Sequence, residues 1–114
     1  MPDMAEIQLL AKEFEECQKV LVALGEEERQ KIIGVMVFMN RREGVCVNEI
    51  TKYTSLSRPA VSHHLKILKE AGVVRMRKAG THHFYYFDED AVFLDKTIAM
   101  LSHARSILKS VGNE

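Results

Sequence analysis

Residues 58–70 divide into a basic polar face and an apolar face when they are placed on a helical wheel. The apolar face, which must pack against other elements, consists of Ala60, Val61, His64, Leu65, Ile67 and Leu68. The polar face consists of Arg58, Pro59, Ser62, His63, Lys66, Lys69 and Glu70. Guanidinium, hydroxyl, imidazole and ammonium groups on one side of a helix suit base edges and phosphates in a major groove. An ordinary amphipathic surface helix has the same pattern, so the flanking residues decide between the two interpretations.

The flanking segments predict a helix-turn-helix followed by a β-hairpin. A short helix is expected around Asn48–Thr54, and Ser57 is a good N-cap for a second helix that runs to about residue 71. Strand-like runs follow at residues 73–78 and 81–87, with a turn at Ala79-Gly80 between them. A basic hairpin directly after the second helix is typical of a wing, which contacts the neighbouring DNA backbone or minor groove.

Apolar periodicity predicts three further helices around this unit. The first covers residues 3–24 and ends at Gly25, and its stripe consists of Ile7, Leu10, Phe14, Cys17, Leu21 and Leu24. The second follows the acidic residues 26–28 and has an inward face of Ile32, Val35, Met36 and Met39. The last covers residues 89–110. The order is therefore four helices, a hairpin and one helix, a mainly α chain that forms a single domain over residues 1–114.

Composition excludes several classes of protein. Apolar residues make up 46% of the chain and charged residues 28%, as in a globular domain. The longest apolar run, residues 32–39, is far shorter than the ~20 residues of a membrane-spanning helix. The first residues are acidic and lack the basic start of a signal peptide, and two cysteines do not make a disulfide framework. We expect a cytoplasmic protein.

The net charge of zero conceals a basic middle segment. Residues 45–87 carry a net charge of +5, whereas residues 1–44 carry −3 and residues 88–114 carry −2. This distribution indicates either a nucleic-acid footprint or ordinary scatter of surface charge, and charge alone does not choose between them.

Two gap-free stretches, residues 45–50 and 56–74, resemble the ArsR/SmtB winged helix-turn-helix repressors, as do the Gly80 turn and the exit at residues 85–88. The resemblance covers about residues 20–110. It implies a cytoplasmic homodimer that binds a palindromic double-stranded DNA operator, represses transcription and is released by a signal. It also implies a helix-turn-helix at residues 48–71, a wing at 73–87 and dimerisation helices at 3–24 and 89–110.

The last helix agrees with a dimer because its apolar surface is wider than one small monomer needs. One stripe consists of Leu94, Ile98, Leu101 and Leu108, and a second consists of Phe93, Met100, Ala104 and Ile107.

The resemblance also assigns DNA-binding residues. Positions that face the groove carry Arg58, Ser62 and His63, and positions better suited to phosphates carry Ser57, Lys66 and Lys69. The wing positions carry Arg77, Lys78, Thr81 and His82. His64 matches a family position too, but its wheel angle places it on the packed face, so we interpret it as a structural histidine.

The two common metal sites of the family are incomplete in this sequence. The Cys-x-Cys pair is reduced to Cys46-Val47-Asn48, and a third family cysteine falls on Thr51. The Asp-x-His and His-x-x-His pairs read Glu89-x-Ala91 and Ser102-x-x-Arg105. We therefore predict no metal site and no cofactor, and the sequence does not identify the effector.

Two alternatives stay open at this point. Cys17 and Cys46 of the other subunit could form a redox-responsive dithiol or a poor soft-metal site, although Cys17 also fits a core position. The His63-His64 and His82-His83 pairs point in diverging directions and cannot chelate by themselves, and His103 is expected to face solvent or an interface.

The other alternative is a winged helix that binds only proteins. The basic polar face of residues 58–70 argues against it. No phosphate-binding loop or nucleophile–base pair suggests an enzyme.

Overall fold

The computed structural model describes residues 2–112, which form six helices and one two-stranded sheet. The elements are α1 (Met4–Glu16), α2 (Gln18–Leu24), α3 (Glu27–Met39), α4 (Val47–Thr51), α5 (Arg58–Glu70), β1 (Arg75–Ala79), β2 (His82–Tyr86) and α6 (Val92–Gly112). The predicted mainly α chain with a β-hairpin is confirmed. Met1, Asn113 and Glu114, at the ends of the predicted domain over 1–114, lie outside the described residues. Within residues 2–112, every helix is too short or too polar to cross a membrane.

The helix-turn-helix is formed by α4 and α5, which pack on α3. The Ser57 hydroxyl accepts a hydrogen bond from the Ala60 N–H at 3.3 Å, as expected for the N-cap, and Gly72 stops the chain after α5 with a φ of +82°. The predicted apolar face of α5 is buried in the core, where it packs against buried residues of α3 and α4. This core includes Ile32, Ile50, Val61, Leu65 and Leu68.

The first predicted helix is in fact two helices, so the expectation of one helix over residues 3–24 is wrong. The chain bends at Cys17, whose φ of −93° and ψ of 1° interrupt the helix. The bend lets the two segments pack on different partners, because α1 lies against α6 while α2 lies against α5 and α3. Cys17 is 3% exposed at this junction, so tertiary packing overrides the continuous apolar stripe.

The hairpin is antiparallel, with Arg75 opposite Tyr86 and Arg77 opposite Phe84. Its loop is Gly80-Thr81, one residue later than the predicted Ala79-Gly80 turn, because Gly80 takes the positive φ of 63° that the tight loop needs. β1 begins later than predicted because Val73 and Val74 are buried in the core instead of paired, and β2 begins later because Thr81 belongs to the loop.

Gly44 holds the hairpin to the α3–α4 loop. Its φ is +102°, and a Cβ at this position would lie 2.8 Å from the Tyr85 carbonyl oxygen. This close approach allows Val45 to exchange two backbone hydrogen bonds with Tyr85, at 2.9 and 2.8 Å. A side chain here would separate the wing from the helical core.

The last helix begins at Val92, three residues later than predicted, because residues 89–90 form a turn and Ala91 adopts a φ of +46°. Its two apolar stripes have different environments. Met100 is fully buried and Phe93 packs on the core, whereas Ile98, Leu101 and Leu108 are 57%, 53% and 70% exposed. His103 is partly buried between α6 and α1, where its Nδ1 contacts the Glu13 carboxylate.

Candidate nucleic-acid interface

A cleft of about 190 Å³ lies between the start of α5, the start of α4 and the wing. Its lining includes Arg58 and Ser62 from α5 together with Thr81 and His82 from the hairpin. These four predicted residues come from two separate segments of the sequence, the start of α5 and the hairpin. The fold therefore brings the predicted helix face and the predicted wing residues to one surface.

The N-cap and the first nine residues of α5 present a polar face to solvent. The exposed residues of this face include Ser57, Arg58, Ser62, His63 and Lys66. Within the part of the chain that the structure describes, neither Arg58 nor Lys66 forms an ion pair. Their charges are therefore uncompensated and available to an anion such as a DNA phosphate.

In the wing, Arg77 is held in place on one side of the hairpin. Its Nε donates a hydrogen bond to the Glu43 carbonyl oxygen at 2.9 Å, and its guanidinium lies 4.6 Å from the centre of the Phe84 ring. These contacts anchor the wing to the α3–α4 loop and leave only part of the guanidinium for a ligand. Lys78, Thr81 and His82 are exposed and lie nearer to the tip of the hairpin.

His83 was missed by the sequence analysis, which selected His82 alone. His83 is opposite Lys78 and also lines the cleft with Arg58 and Ser62. Strand alternation puts Lys78, His83 and Tyr85 on one face and Arg77, His82 and Phe84 on the other. Tyr85, two residues away on the same face, is buried, and only the structure shows that this side of the hairpin faces inward.

Lys69 is separated from the cleft by the length of α5. It lies eleven residues after Arg58, roughly 16 Å along the helix axis. It lines a second and larger cleft with residues of α2, β1 and α6. The assignment of Lys69 to phosphate binding stays a prediction.

A second feature that the sequence analysis missed is the buried Arg29 of α3, which is 8% exposed. Its Nε donates to the Ala23 carbonyl oxygen at 2.8 Å, and a terminal nitrogen donates to the Val22 carbonyl oxygen at 3.2 Å. The other terminal nitrogen lies 3.3 Å from Nδ1 of His64, which is half-buried on the packed side of α5. His64 thus has the structural position that its wheel angle predicted.

At the start of α4, Glu49 accepts hydrogen bonds at one carboxylate oxygen from the Cys46 backbone N–H at 3.3 Å and the Cys46 thiol at 3.4 Å. Its other oxygen pairs with Arg41. Burial by itself raises the pKa of Glu49, but the bonds from Cys46 and Arg41 outweigh burial and hold the pKa below its ordinary value of about 4.5. The short helix is therefore fixed at the edge of the cleft by an ionised carboxylate.

The two cysteines line different clefts of the protomer. Cys17 lies in the larger cleft and Cys46 in the smaller one, and both are free thiols. Among residues 2–112, no three His, Cys, Asp or Glu side chains are grouped as a metal site requires.

Comparison with known proteins points to one family. The sequence model of the "bacterial regulatory protein, arsR family" matches residues 33–76. An uncharacterized HTH-type transcriptional regulator of Methanocaldococcus jannaschii is 35% identical over 81 residues, 71% of this chain and 88% of that protein. The arsenical resistance operon repressor of Staphylococcus aureus is 25% identical over 101 residues, 86% of this chain and 93% of that protein.

The fold has a counterpart among solved structures. The homodimeric winged helix-turn-helix DNA-binding domain of a possible ArsR-family regulator from Mycobacterium bovis superposes with a TM-score of 0.60. The match covers 93% of this chain and 91% of that domain at 20% identity, so it concerns the fold alone. The predicted winged helix-turn-helix is confirmed.

Proposed function

Because the chain belongs to the ArsR family of bacterial regulatory proteins, we propose that it is a homodimeric repressor that binds a palindromic DNA operator in the cytoplasm. It is a DNA-binding transcriptional regulator, and the relatives that it matches include a named repressor. The proposed function is DNA binding alone and includes no catalytic step.

The single observation that carries the proposal is the cleft that unites Arg58 and Ser62 of α5 with Thr81 and His82 of the wing. We call α5 the recognition helix. A helix that presents a guanidinium, hydroxyls and an imidazole at its N-terminal end has the groups that read base edges in a major groove. A hairpin beside it reaches the backbone or the minor groove of the same duplex.

Each side chain is assigned a role by its position. Arg58, Ser62 and His63 would face base edges, because they lie on the exposed side of the first turns of the recognition helix. Ser57 and Lys66 flank them and would bind phosphates. From the wing, Lys78, Thr81, His82 and His83 would also contact the backbone. Arg77 would hold the wing at the correct distance, since its guanidinium is engaged with Glu43 and Phe84.

A winged helix that binds only other proteins is the less favoured alternative. Such a module has no need for uncompensated cations on an exposed helix, whereas a phosphate backbone attracts them. A thiol switch that uses Cys17 and Cys46 is also not favoured. Cys17 is nearly inaccessible at 3% exposure, and the Cys46 thiol is engaged in a hydrogen bond to the Glu49 carboxylate.

The proposal is tested with the DNA upstream of the protein's own gene and a random duplex of equal length. Arg58→Ala should weaken binding to the operator by about 1–3 kcal/mol and relax the preference at one base position. Lys78→Ala should weaken binding to operator and random DNA alike. It should also reduce the slope of log affinity against log salt concentration by about one, since one phosphate contact is lost. Fluorescence anisotropy over a range of salt concentrations measures both effects.

Lys109→Ala is the matched control, because it removes one exposed positive charge at the far end of α6. It should change operator affinity by less than about twofold. An equal loss on operator and random DNA for Arg58→Ala would contradict base reading. Binding that does not depend on salt would contradict DNA as the partner.

A further inference from the structure

The largest cleft that borders the recognition helix lies at the C-terminal end of that helix, away from the DNA-facing surface. It has a volume of about 760 Å³ and opens to solvent between the α1–α2 bend, the end of α5, β1 and the first turns of α6. This volume is within the range of small-molecule sites, about 300–1,000 Å³. None of the proposed DNA contacts involves this cleft.

The floor of the cleft is apolar. Val20 and Val74 are 8% and 1% exposed, and they are joined by Met76 of β1 and Phe93 of α6. Thr97 at the floor is also buried, and its hydroxyl donates to the Phe93 carbonyl oxygen at 2.7 Å. The floor therefore offers mainly apolar contact, which suits a hydrocarbon chain or ring.

The rim of the cleft is cationic. Arg75 is paired with Asp88 at 3.2 Å, whereas Lys69 and Lys96 form no ion pair within the described part of the chain. One acidic residue, Glu16, is also at the rim, so two free ammonium groups outnumber it. An apolar floor below an excess of positive charge is complementary to an amphipathic anion.

We propose that this cleft binds a small organic anion, with an apolar chain or ring on Val20, Val74 and Phe93 and a carboxylate at Lys69 and Lys96, and that this ligand is the effector of the repressor. The regulatory part of the proposal depends on the proposed function. The binding part depends only on the cleft.

The residues that α6 contributes to the cleft lie outside the stripe proposed for dimerisation. Its α6 residues are Val92, Phe93, Lys96 and Thr97, whereas the exposed stripe proposed for dimerisation consists of Leu94, Ile98, Leu101 and Leu108. On a helical wheel these two sets occupy different sides of α6.

The position of the cleft also explains how a ligand affects DNA binding. Two of its walls, α5 and β1, belong to the DNA-binding unit, and the other two, the α1–α2 bend and α6, belong to the dimerisation unit. A palindromic operator requires one spacing between the two recognition helices, about 34–36 Å. A ligand wedged between the two units favours a different spacing and so lowers operator affinity through its differential affinity for the two states.

The test uses anilinonaphthalene sulfonate, an aromatic sulfonate that fluoresces in apolar sites, and octanoate as its competitor. Octanoate should displace the dye from the wild-type protein, and octan-1-ol, which lacks the charge, should compete about tenfold less well. Lys96→Met retains the length of the side chain but removes its charge, and it should weaken octanoate about tenfold while leaving octan-1-ol unchanged. Lys109→Met on the same helix is the control and should behave as wild type.

Operator binding is then measured with and without octanoate. Octanoate should weaken operator binding by the wild type and not by Lys96→Met, and both proteins should bind the operator equally in its absence. Equal displacement by octanoate and octan-1-ol, or equal octanoate affinity in Lys96→Met and wild type, would overturn the site. Failure of the wild type to bind upstream DNA would instead overturn the proposed function, and the dye competition would still decide the cleft.

Discussion

Arg29 connects the end of α2 to the recognition helix through three contacts of one guanidinium. Two are with the Ala23 and Val22 carbonyl oxygens, and the third is with Nδ1 of His64. Through His64 these contacts hold the packed side of the recognition helix, while the neighbouring His63 is exposed to solvent.

Replacing Arg29 by Met should lower the free energy of unfolding by about 2–3 kcal/mol, because the buried Ala23 carbonyl loses its side-chain donor. Urea denaturation at fixed protein concentration measures this loss. Arg42→Met removes an arginine whose side chain is 89% exposed and should change stability by less than about 0.5 kcal/mol. Equal effects of the two substitutions would contradict the role assigned to Arg29.

At the scale of elements, the five-residue α4 is too short to be stable alone and depends on the groups at its start. Glu49 supplies them by accepting from Cys46 and pairing with Arg41. Because its folded-state pKa lies below its ordinary value of about 4.5, its contribution to stability is fully present above pH 4.5. The contribution is lost as the pH falls from there through the lowered pKa.

Glu49→Gln should therefore lower stability at pH 7 and lose less stability than the wild type below pH 4.5. The amide still accepts from the Cys46 N–H but cannot pair ionically with Arg41. Urea midpoints at neutral and acidic pH measure the difference. Glu15→Gln, at an exposed position in α1, should leave the acid dependence as in the wild type, and identical pH profiles for both variants would argue against the Glu49 assignment.

At the scale of the whole molecule, the protomer is elongated, with extents of 57 × 25 × 21 Å. The long α6 and α1 leave apolar side chains in solvent, among them Ile98, Leu101 and Leu108 of α6 and Ile7 of α1. Exposed apolar residues in one continuous stripe are typical of an interface between subunits. The proposed two-fold dimer would bury this stripe.

The double substitution Ile98→Glu, Leu101→Glu should weaken the dimer at least about a hundredfold, since it places unpaired charges in the proposed interface. Sedimentation at micromolar concentration measures the change. Val37→Glu is the control, because Val37 is equally apolar and 61% exposed but lies on α3, away from the stripe. A wild-type monomer at micromolar concentration, or equal dissociation of both variants, would contradict the interface.

The sequence by itself determined the elements whose signals are local. The two faces of α5, its Ser57 cap and the hairpin follow from side-chain period and turn chemistry within a few residues, and these agree with the structure. The residues on the exposed face of α5 could likewise be chosen from the wheel, because a helix repeats regularly whatever surrounds it.

Tertiary structure alone decided the features that depend on distant residues. The bend at Cys17 exists because α1 and α2 pack on different helices, although their apolar stripe is continuous in sequence. The Arg29–His64 contact joins residues 35 positions apart. Lys69 and Lys96 line one cleft only because α6 packs near the end of α5. A helical period defines which face of one element a residue occupies, but only the packing of elements determines what that face meets.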